Sequence, residues 1–298
     1  MIPAALQSEL TRFFGTSPQG FEPVGGGDIN QAARFNIGSE RYFLKWHPHP
    51  PTPPEGWPDM FTAEARGLEL LAQAGALRVP EVVTYGTYEG GGAYLVMEWV
   101  ERATHWDEEA VGTALGYGLA QLHRHSTDAY GLDHNNYCGL TPQPNPWTSS
   151  WIEFYALHRL EYQMDLAGRK GRMPRERRRR LEKLMERLDR WIDEKSVRPA
   201  LIHGDLWGGN WLVSSKQEPV LIDPAVYYAD REAELAMCHL FGGFPSAFFR
   251  AYDEAWPPLP GRDERIPLYQ LYHVLNHLNL FGEMYGGHVD SILRRYVG

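Results

Sequence analysis

One stretch of this chain leaves little freedom. Leu201-Ile202-His203-Gly204-Asp205-Leu206-Trp207-Gly208-Gly209-Asn210-Trp211-Leu212-Val213 sets apolar runs on both sides of a polar, glycine-rich centre, and Val220-Leu221-Ile222-Asp223 follows. The pattern predicts strand, loop, strand, with Asp205, Asn210 and Asp223 presented from neighbouring loops. An Asp or Asn beside glycine also forms a turn on its own. Three such residues, spaced by five and then thirteen positions, point instead to a shared task once partners upstream are counted.

Phosphoryl transfer needs a set of this kind. One carboxylate accepts the proton of the attacking hydroxyl, while an amide oxygen and a second carboxylate hold Mg²⁺ against nucleotide phosphates. Lys45 ends the apolar run Tyr42-Phe43-Leu44, where a strand lysine can steady phosphates while pairing a helix glutamate. The following helix supplies one. At 100° per residue from Phe61, the residues Leu71, Leu68, Ala72 and Ala65 span about −80° to 40°, and Glu64 falls near −60°, inside that stripe. A carboxylate on a buried face requires a cation, since leaving it unpaired costs several kcal/mol. Lys45 is the candidate partner, and Glu69, at the edge of the stripe, is the second choice for the acid. Gly25-Gly26-Gly27-Asp28-Ile29-Asn30, between the first two strands, reads as a hairpin turn or as a loop whose N–H groups approach phosphates. Met97-Glu98-Trp99-Val100 is placed as a hinge whose backbone reads adenine, with Met97, Glu98 and Val100 as its contacts.

The rest of the pattern gives an α+β, bilobal architecture. Three short strands over 21–47 precede a loop, His47–Pro58, with six prolines among twelve residues. Its His47 and His49 read as loop residues rather than metal ligands. A helix over 59–74, strands over 81–88 and 93–100, and a helix from Asp107 follow. Further helices are expected over 149–167, 174–195, 231–241 and 266–285, with short strands over 200–223. Residues 1–98 thus form a small antiparallel-sheet lobe that binds nucleotide, and 99–298 a larger, mostly helical lobe for catalysis and substrate. His123 and His125, near a helix end, read as capping or surface groups.

At these residues the chain resembles the protein-kinase-like superfamily. The fuller string HGDLWGGN at 203–210, with Gly139-Leu140-Thr141-Pro142-Gln143-Pro144-Asn145-Pro146-Trp147 and Trp151-Ile152-Glu153-Phe154-Tyr155, resembles the fructosamine kinase (ketosamine-3-kinase) family more specifically. The resemblance implies a kinase fold and ATP-dependent phosphorylation of the 3-hydroxyl of a ketosamine, which starts removal of the sugar. It implies Asp205 as the catalytic base, Asn210 and Asp223 as Mg²⁺ ligands, and Lys45, held by Glu64, as the phosphate contact. Trp207 offers an aromatic face to a sugar or amine, with a core tryptophan as the competing reading. Two departures from the protein-kinase pattern matter. Gly204 stands where those enzymes carry arginine, so activation by loop phosphorylation is not expected, and Pro224-Ala225 after Asp223 disfavours a flipping metal loop. Some family members carry a cysteine in the glycine-rich loop; Asp28 takes that region here, so no redox switch is expected there.

Charge narrows the partners. The 298 residues carry 29 Lys and Arg against 38 Asp and Glu, a net −9, which argues against nucleic acid. Only 169–190 departs, with eleven basic residues against four acidic. It reads as a solvated helix, or as a docking face for an acidic glycated protein. Two cysteines, Cys138 and Cys238, form neither a disulfide framework nor a zinc cluster and suit a reducing, cytoplasmic setting. Glu9 and Arg12 interrupt any signal peptide, and no apolar run spans a membrane. The rivals are a kinase for another hydroxylated amine, aminoglycoside- or choline-like, and a nucleotide-binding pseudokinase.

Overall fold

Alternation along one strand decides where the chemistry points. In the computed structural model, which describes residues 2–25 and 30–298, strand β3 (Glu40–His47) turns Leu44 and Trp46 to one face and Phe43 and Lys45 to the other. It sits at the centre of an antiparallel sheet ordered β1-β2-β3-β5-β4, with β1 at Gln19–Pro23, β2 at Gln31–Ile37, β4 at Val82–Tyr88 and β5 at Gly92–Glu98. Helix α1 (Ala4–Phe14), not expected from the sequence, closes the Leu44 face by burying Leu6 and Leu10 against Phe35, Trp46, Tyr94 and Val96. The Lys45 face receives α2 (Met60–Ala74). Asp59 caps that helix by accepting from the N–H groups of Phe61 and Thr62 at 3.0 and 3.2 Å, and Gly75 ends it with φ 62°. The Gly26, Gly27 and Asp28 part of the glycine-rich loop lies outside the described residues.

The second region is helical around six short strands, paired in three ribbons, among the described residues. In chain order it holds α3 (Glu108–Leu122), the ribbon β6–β7 (Asn136–Cys138 and Thr141–Gln143) and α4 (Trp151–Phe154). A π-helical segment (Tyr155–Glu161), α5 (Tyr162–Arg169) and α6 (Arg175–Met185) follow. Strands β8 (Ala200–Ile202), β9 (Trp211–Val213), β10 (Pro219–Leu221) and β11 (Tyr227–Ala229) precede α7 (Arg231–Phe241), α8 (Ser246–Ala255), α9 (Arg262–Phe281) and α10 (Gly286–Val297). One core runs from Phe61, Leu68 and Met97 through Leu115 and Trp151 to Leu275 and Leu293, so the sheet and the helical region share apolar packing. Among the described residues no helix is long and apolar enough to cross a membrane.

Three helical expectations need correction. The helix expected over 174–195 stops at Met185, because Arg187 adopts φ −133°; Leu188 and Ile192 stay buried, so the apolar spacing outlasts the helix. Helix α9 runs four residues ahead of the expected 266–285 at both ends, starting from Gly261 at φ 77°. Helices α8 and α10 were not anticipated. The first packs so closely on α3 that a Cβ on Gly116 would lie 2.3 Å from the Phe248 carbonyl oxygen.

Candidate active site

The residues singled out in the sequence converge from five elements on one cavity of about 800 Å³. From β3, the Lys45 ammonium donates to both Glu64 oxygens at 2.8 and 2.9 Å and lies 3.0 Å from Asp223 Oδ1. Burial works against the charge on Lys45, but Asp223 and Glu64 outweigh it and hold the ammonium well above its usual range. Burial likewise pushes the Glu64 carboxyl up to about 7, against the pull of Lys45. Glu69, the second choice, is exposed on the opposite side of the helix. Helix α2 also braces the Asp223 loop: a Cβ on Gly67 would meet Val226 at 3.3 Å and Pro224 at 3.4 Å. Asp223 itself holds φ 56°, a left-handed backbone that Asp tolerates better than most residues.

The loop between β8 and β9 is built around three glycines. Gly204 has φ 84°, and a Cβ there would lie 2.0 Å from the Ala225 carbonyl oxygen. The arginine of the protein-kinase pattern has no room at this point. A Cβ on Gly208 would strike Gly243, and one on Gly209 would enter the Trp207 ring. Beneath the loop, the Glu234 carboxylate from α7 accepts the N–H of His203 at 2.8 Å and of Gly204 at 2.7 Å. It also bonds His123 Nε2 at 3.1 Å, whose Nδ1 meets the Tyr252 hydroxyl at 2.7 Å. Burial pushes Glu234 up, yet the His123 hydrogen bond and charge and the His203 backbone N–H hold it below its ordinary value. His123 thus occupies the C-cap of α3, at the helix end as expected, but its ring is a buried strut and not a surface group. His203 Nε2 donates to the Ile222 carbonyl at 2.8 Å, tying the base loop to the residue before Asp223.

Asp205 lines the cavity beside Asn210, whose Nδ2 donates to the Asp205 carbonyl at 2.8 Å and to Oδ2 at 3.3 Å. That geometry leaves the Asn210 Oδ1 without a partner among the described residues. Burial first, then the charge of Asp223, pushes the Asp205 carboxyl up to about 8. The Asp205 and Asp223 carboxylates and the amide oxygen form an oxygen-rich set beside the Lys45 ammonium, and donors of this type fit Mg²⁺. At the other end, Gly25, Met97, Glu98, Trp99 and Val100 line the same cavity, and the Val100 N–H makes no hydrogen bond among the described residues. Glu98 is braced from outside by Arg78. Trp207 lines the cavity at 38% exposure, with Phe241 edge-on at 6.3 Å, so it is not a core residue.

A family model described as fructosamine kinase matches residues 3–298. The chain belongs to the fructosamine kinase family. It is 40% identical over 304 residues to a probable ketoamine kinase of Synechocystis sp., covering 98% of this chain and 97% of that one. It is 36% identical to a chloroplastic protein-ribulosamine 3-kinase of Oryza sativa subsp. japonica, over 97% of this chain and 82% of the relative. A solved chain from Thermobifida fusca, provisionally designated a fructosamine-3-kinase, superposes with TM-score 0.84 at 31% identity, covering 97% of each. The aminoglycoside phosphotransferase APH(4)-Ia, solved with AMP-PNP and hygromycin B, is 16% identical with TM-score 0.68 over 99% of this chain and all of that one, a likeness of fold. The fold is protein-kinase-like.

The family-specific stretch 139–147 acts mainly from behind the cavity. Only Gly139 of it lines the wall, beside Asn136, Tyr137 and Cys138. Gln143 Nε2 donates to the Ala225 carbonyl at 3.1 Å, and Asn136 Nδ2 to the Val226 carbonyl at 2.8 Å. Gln143 and Asn145 both donate to Asn136 Oδ1 at 2.8 Å. Arg159, wholly buried in the π-helical segment, donates to Asn145 Oδ1 at 2.7 Å and sits 3.9 Å above the Tyr227 ring. This fully polar network fixes the backbone after Asp223.

In this fructosamine kinase family member, Glu234 and Arg159 are the structural supports that sequence reasoning missed. A signal for Glu234 was present: like Glu64, it is an acid inside an apolar helical run, Glu234-Leu235-Ala236-Met237-Cys238. The basic stretch also reads differently. Arg172 and Lys170 donate to the Asn279 carbonyl at the end of α9, both at 2.8 Å, and the buried Arg177 grips Glu283 and Asp290. Arg180 and Lys183 reach the carbonyls of Gly298 and Val297. Five basic residues thus fasten the C-terminal helices, yet only Arg177 is buried, and Arg178, Arg179 and Arg180 pair with Glu182 and Glu176, so α6 is also the solvated helix expected.

Proposed function

We propose that the protein is an ATP-dependent kinase that phosphorylates the 3-hydroxyl of a ketosamine, and that residues 1–98 and 99–298 divide nucleotide binding from catalysis and acceptor binding. The observation that carries the reading is the meeting of Lys45, Glu64, Asp205, Asn210 and Asp223 on one cavity that Trp207 also lines. Lys45, fixed by Glu64, contacts phosphate oxygens. Gly25 approaches the phosphates through its backbone N–H group, and Met97, Glu98 and Val100 frame adenine. Asn210 Oδ1 and the Asp223 carboxylate hold Mg²⁺, which when bound offsets negative charge on the phosphates. Asp205 accepts the proton of the attacking hydroxyl at its carboxylate, and Trp207 stacks on the acceptor sugar. Free, buried Cys138 and Cys238 support a reducing, cytoplasmic setting.

The test is ADP release from ATP and Mg²⁺ with a ribulosamine, a fructosamine and an aminoglycoside as acceptors, with ³¹P NMR locating the new ester. Asp205→Ala should lower turnover by roughly 10²–10⁴, the span for loss of a general base. Turnover of ketosamines no higher than in that variant would refute the substrate. ATP binding without turnover of any acceptor would instead favour a pseudokinase.

A further inference from the structure

Three groups of different chemistry meet at Asp205. Cys138 Sγ at the end of β6, a carboxylate oxygen of Asp205 and a ring nitrogen of His273 in α9 all lie within 4.8 Å of one another. His273 is 5% exposed, and no hydrogen bond among the described residues reaches either ring nitrogen; Nδ1 is shut off from solvent. An unpartnered buried nitrogen of this kind is destabilising and calls for a reason. Burial pushes His273 down to about 3, so the imidazole is neutral, the form that binds metals. Asn276 Nδ2 meets Cys138 Sγ at 3.3 Å and orients it. Cys138 and Asp205 both line the cavity, which supplies a path from solvent.

We propose that Cys138, Asp205 and His273 form a site for a thiophilic divalent cation, Zn²⁺ in particular, separate from the all-oxygen pair Asn210 and Asp223, and that its occupation inhibits the enzyme. Sulfur, nitrogen and oxygen donors suit Zn²⁺, and three protein ligands leave a fourth position open to the cavity; Mg²⁺ prefers oxygen alone. Tetrahedral zinc bonds set ligand separations of about 3.3–3.8 Å, so the side chains need close in by only about an ångström. As the S–Zn bond forms the thiol proton leaves to solvent, and no electron is transferred. A zinc-bound Asp205 no longer accepts the proton of a hydroxyl. That inhibition rests on Asp205 being the base; the binding site does not.

Co²⁺ titration of the full chain without nucleotide tests the site directly. A thiolate-to-cobalt charge-transfer band should appear in the wild type and in Cys238→Ser, vanish in Cys138→Ser, and be displaced by Zn²⁺. No such band, or one that survives Cys138→Ser, overturns the site whether or not the protein phosphorylates anything. A band lost in Cys238→Ser overturns it even if Cys138→Ser fails to fold. In the kinase assay at fixed Mg²⁺ and ATP, Zn²⁺ should inhibit the wild type, and a zinc-selective chelator should restore it. Loss of an outer-shell partner costs ~10–100-fold in metal affinity, so Cys138→Ser and His273→Gln should need at least about tenfold more Zn²⁺, each against its own zinc-free rate. A cobalt band with undiminished turnover under zinc overturns the inhibition. Equal zinc sensitivity in all three proteins overturns it too, placing the effect at the Mg²⁺ ligands.

Discussion

Replacing Glu234 with glutamine removes one charge and almost no volume, which isolates what the carboxylate does. Its Oε1 accepts the Gly204 N–H, and its Oε2 accepts from the His203 N–H and bonds His123. Glutamine keeps one oxygen. Set at the Oε2 position, that oxygen retains two partners, and the new NH₂ confronts the Gly204 N–H. The Gly204 N–H and the new amide NH₂ are then both orphaned, at about 1–3 kcal/mol each, and the two surviving bonds lose charge assistance at about 1 kcal/mol each. The opposite orientation orphans more. Urea unfolding of Glu234→Gln should therefore show a loss of roughly 4–8 kcal/mol, a large share of a typical 5–15 kcal/mol. Because Asp205 follows Gly204 directly, a shift of the loop by about an ångström should lower kcat by ~10². The pH dependence supplies a second readout. Glu234 is depressed in the folded protein, so its stabilisation is full above the unfolded value of about 4.3 and is lost as pH falls through the folded value. The glutamine variant should lack that part of the acid-induced drop. Stability within about 0.5 kcal/mol of wild type, together with unchanged kcat, would refute the role of the carboxylate in holding the loop.

Gly204→Ala should cost about 1–2 kcal/mol for its left-handed backbone and ~1–3 more for the collision with the Ala225 carbonyl, read by urea unfolding. A neutral result would mean that the close approach is not needed. Trp207→Ala should raise the acceptor KM by about 2–10-fold, equivalent to ~0.5–1.5 kcal/mol of lost aromatic contact, with the KM for ATP unchanged. A rise in the ATP constant alone would contradict the assignment of that wall. His123, His203 and His273 are all held below the usual histidine value by burial. The unfolded chain takes up protons at these imidazoles from about pH 6.5 while the folded chain does not, so their contribution to stability is level above that pH and falls below it, opposite in sign to that of the raised Asp205 and Glu64 carboxyls. His273→Gln should therefore remove part of the loss between about pH 7 and 5, and a difference between the variant's and the wild type's urea midpoints that does not change with pH would show that this imidazole titrates freely.

What was legible in the sequence was whatever a residue's type conflicted with its surroundings. Glu64 declared itself as an acid inside an apolar stripe, and the cation it needed was found on β3, 2.8 Å away. The 200–223 segment declared itself because Asp, Asn and glycine interrupt apolar runs at fixed spacing. Helix α1 left no such conflict, since its amphipathic pattern specifies a covered face without saying which sheet covers it. The extent of α6 was misjudged because burial of Leu188 and Ile192 continues an apolar rhythm after the backbone has left the helix. Arg159 was illegible for a different reason. Its partners, Pro144, Asn145 and Tyr227, are joined to it only by the tertiary fold, and an arginine in a polar helix reads as a surface residue.

The departures from the protein-kinase pattern find one physical explanation in the packing around Ala225. Its carbonyl lies where a side chain at residue 204 would stand, and it also accepts from Gln143; its N–H donates to the His203 carbonyl at 2.8 Å. Pro224 packs under Gly67 of α2, the helix that carries Glu64. The segment after Asp223 is thus clamped from the base loop, from the family-specific 139–147 stretch and from α2 at once. A loop held on three sides resists swinging to a second position, and Lys45 bridges Glu64 and Asp223. An arginine at 204 would serve to sense a phosphorylated loop, but here there is neither space for it nor a mobile loop to report on. The same contacts that exclude the arginine hold the Asp223 segment in place, so activity without prior loop phosphorylation is the expected outcome.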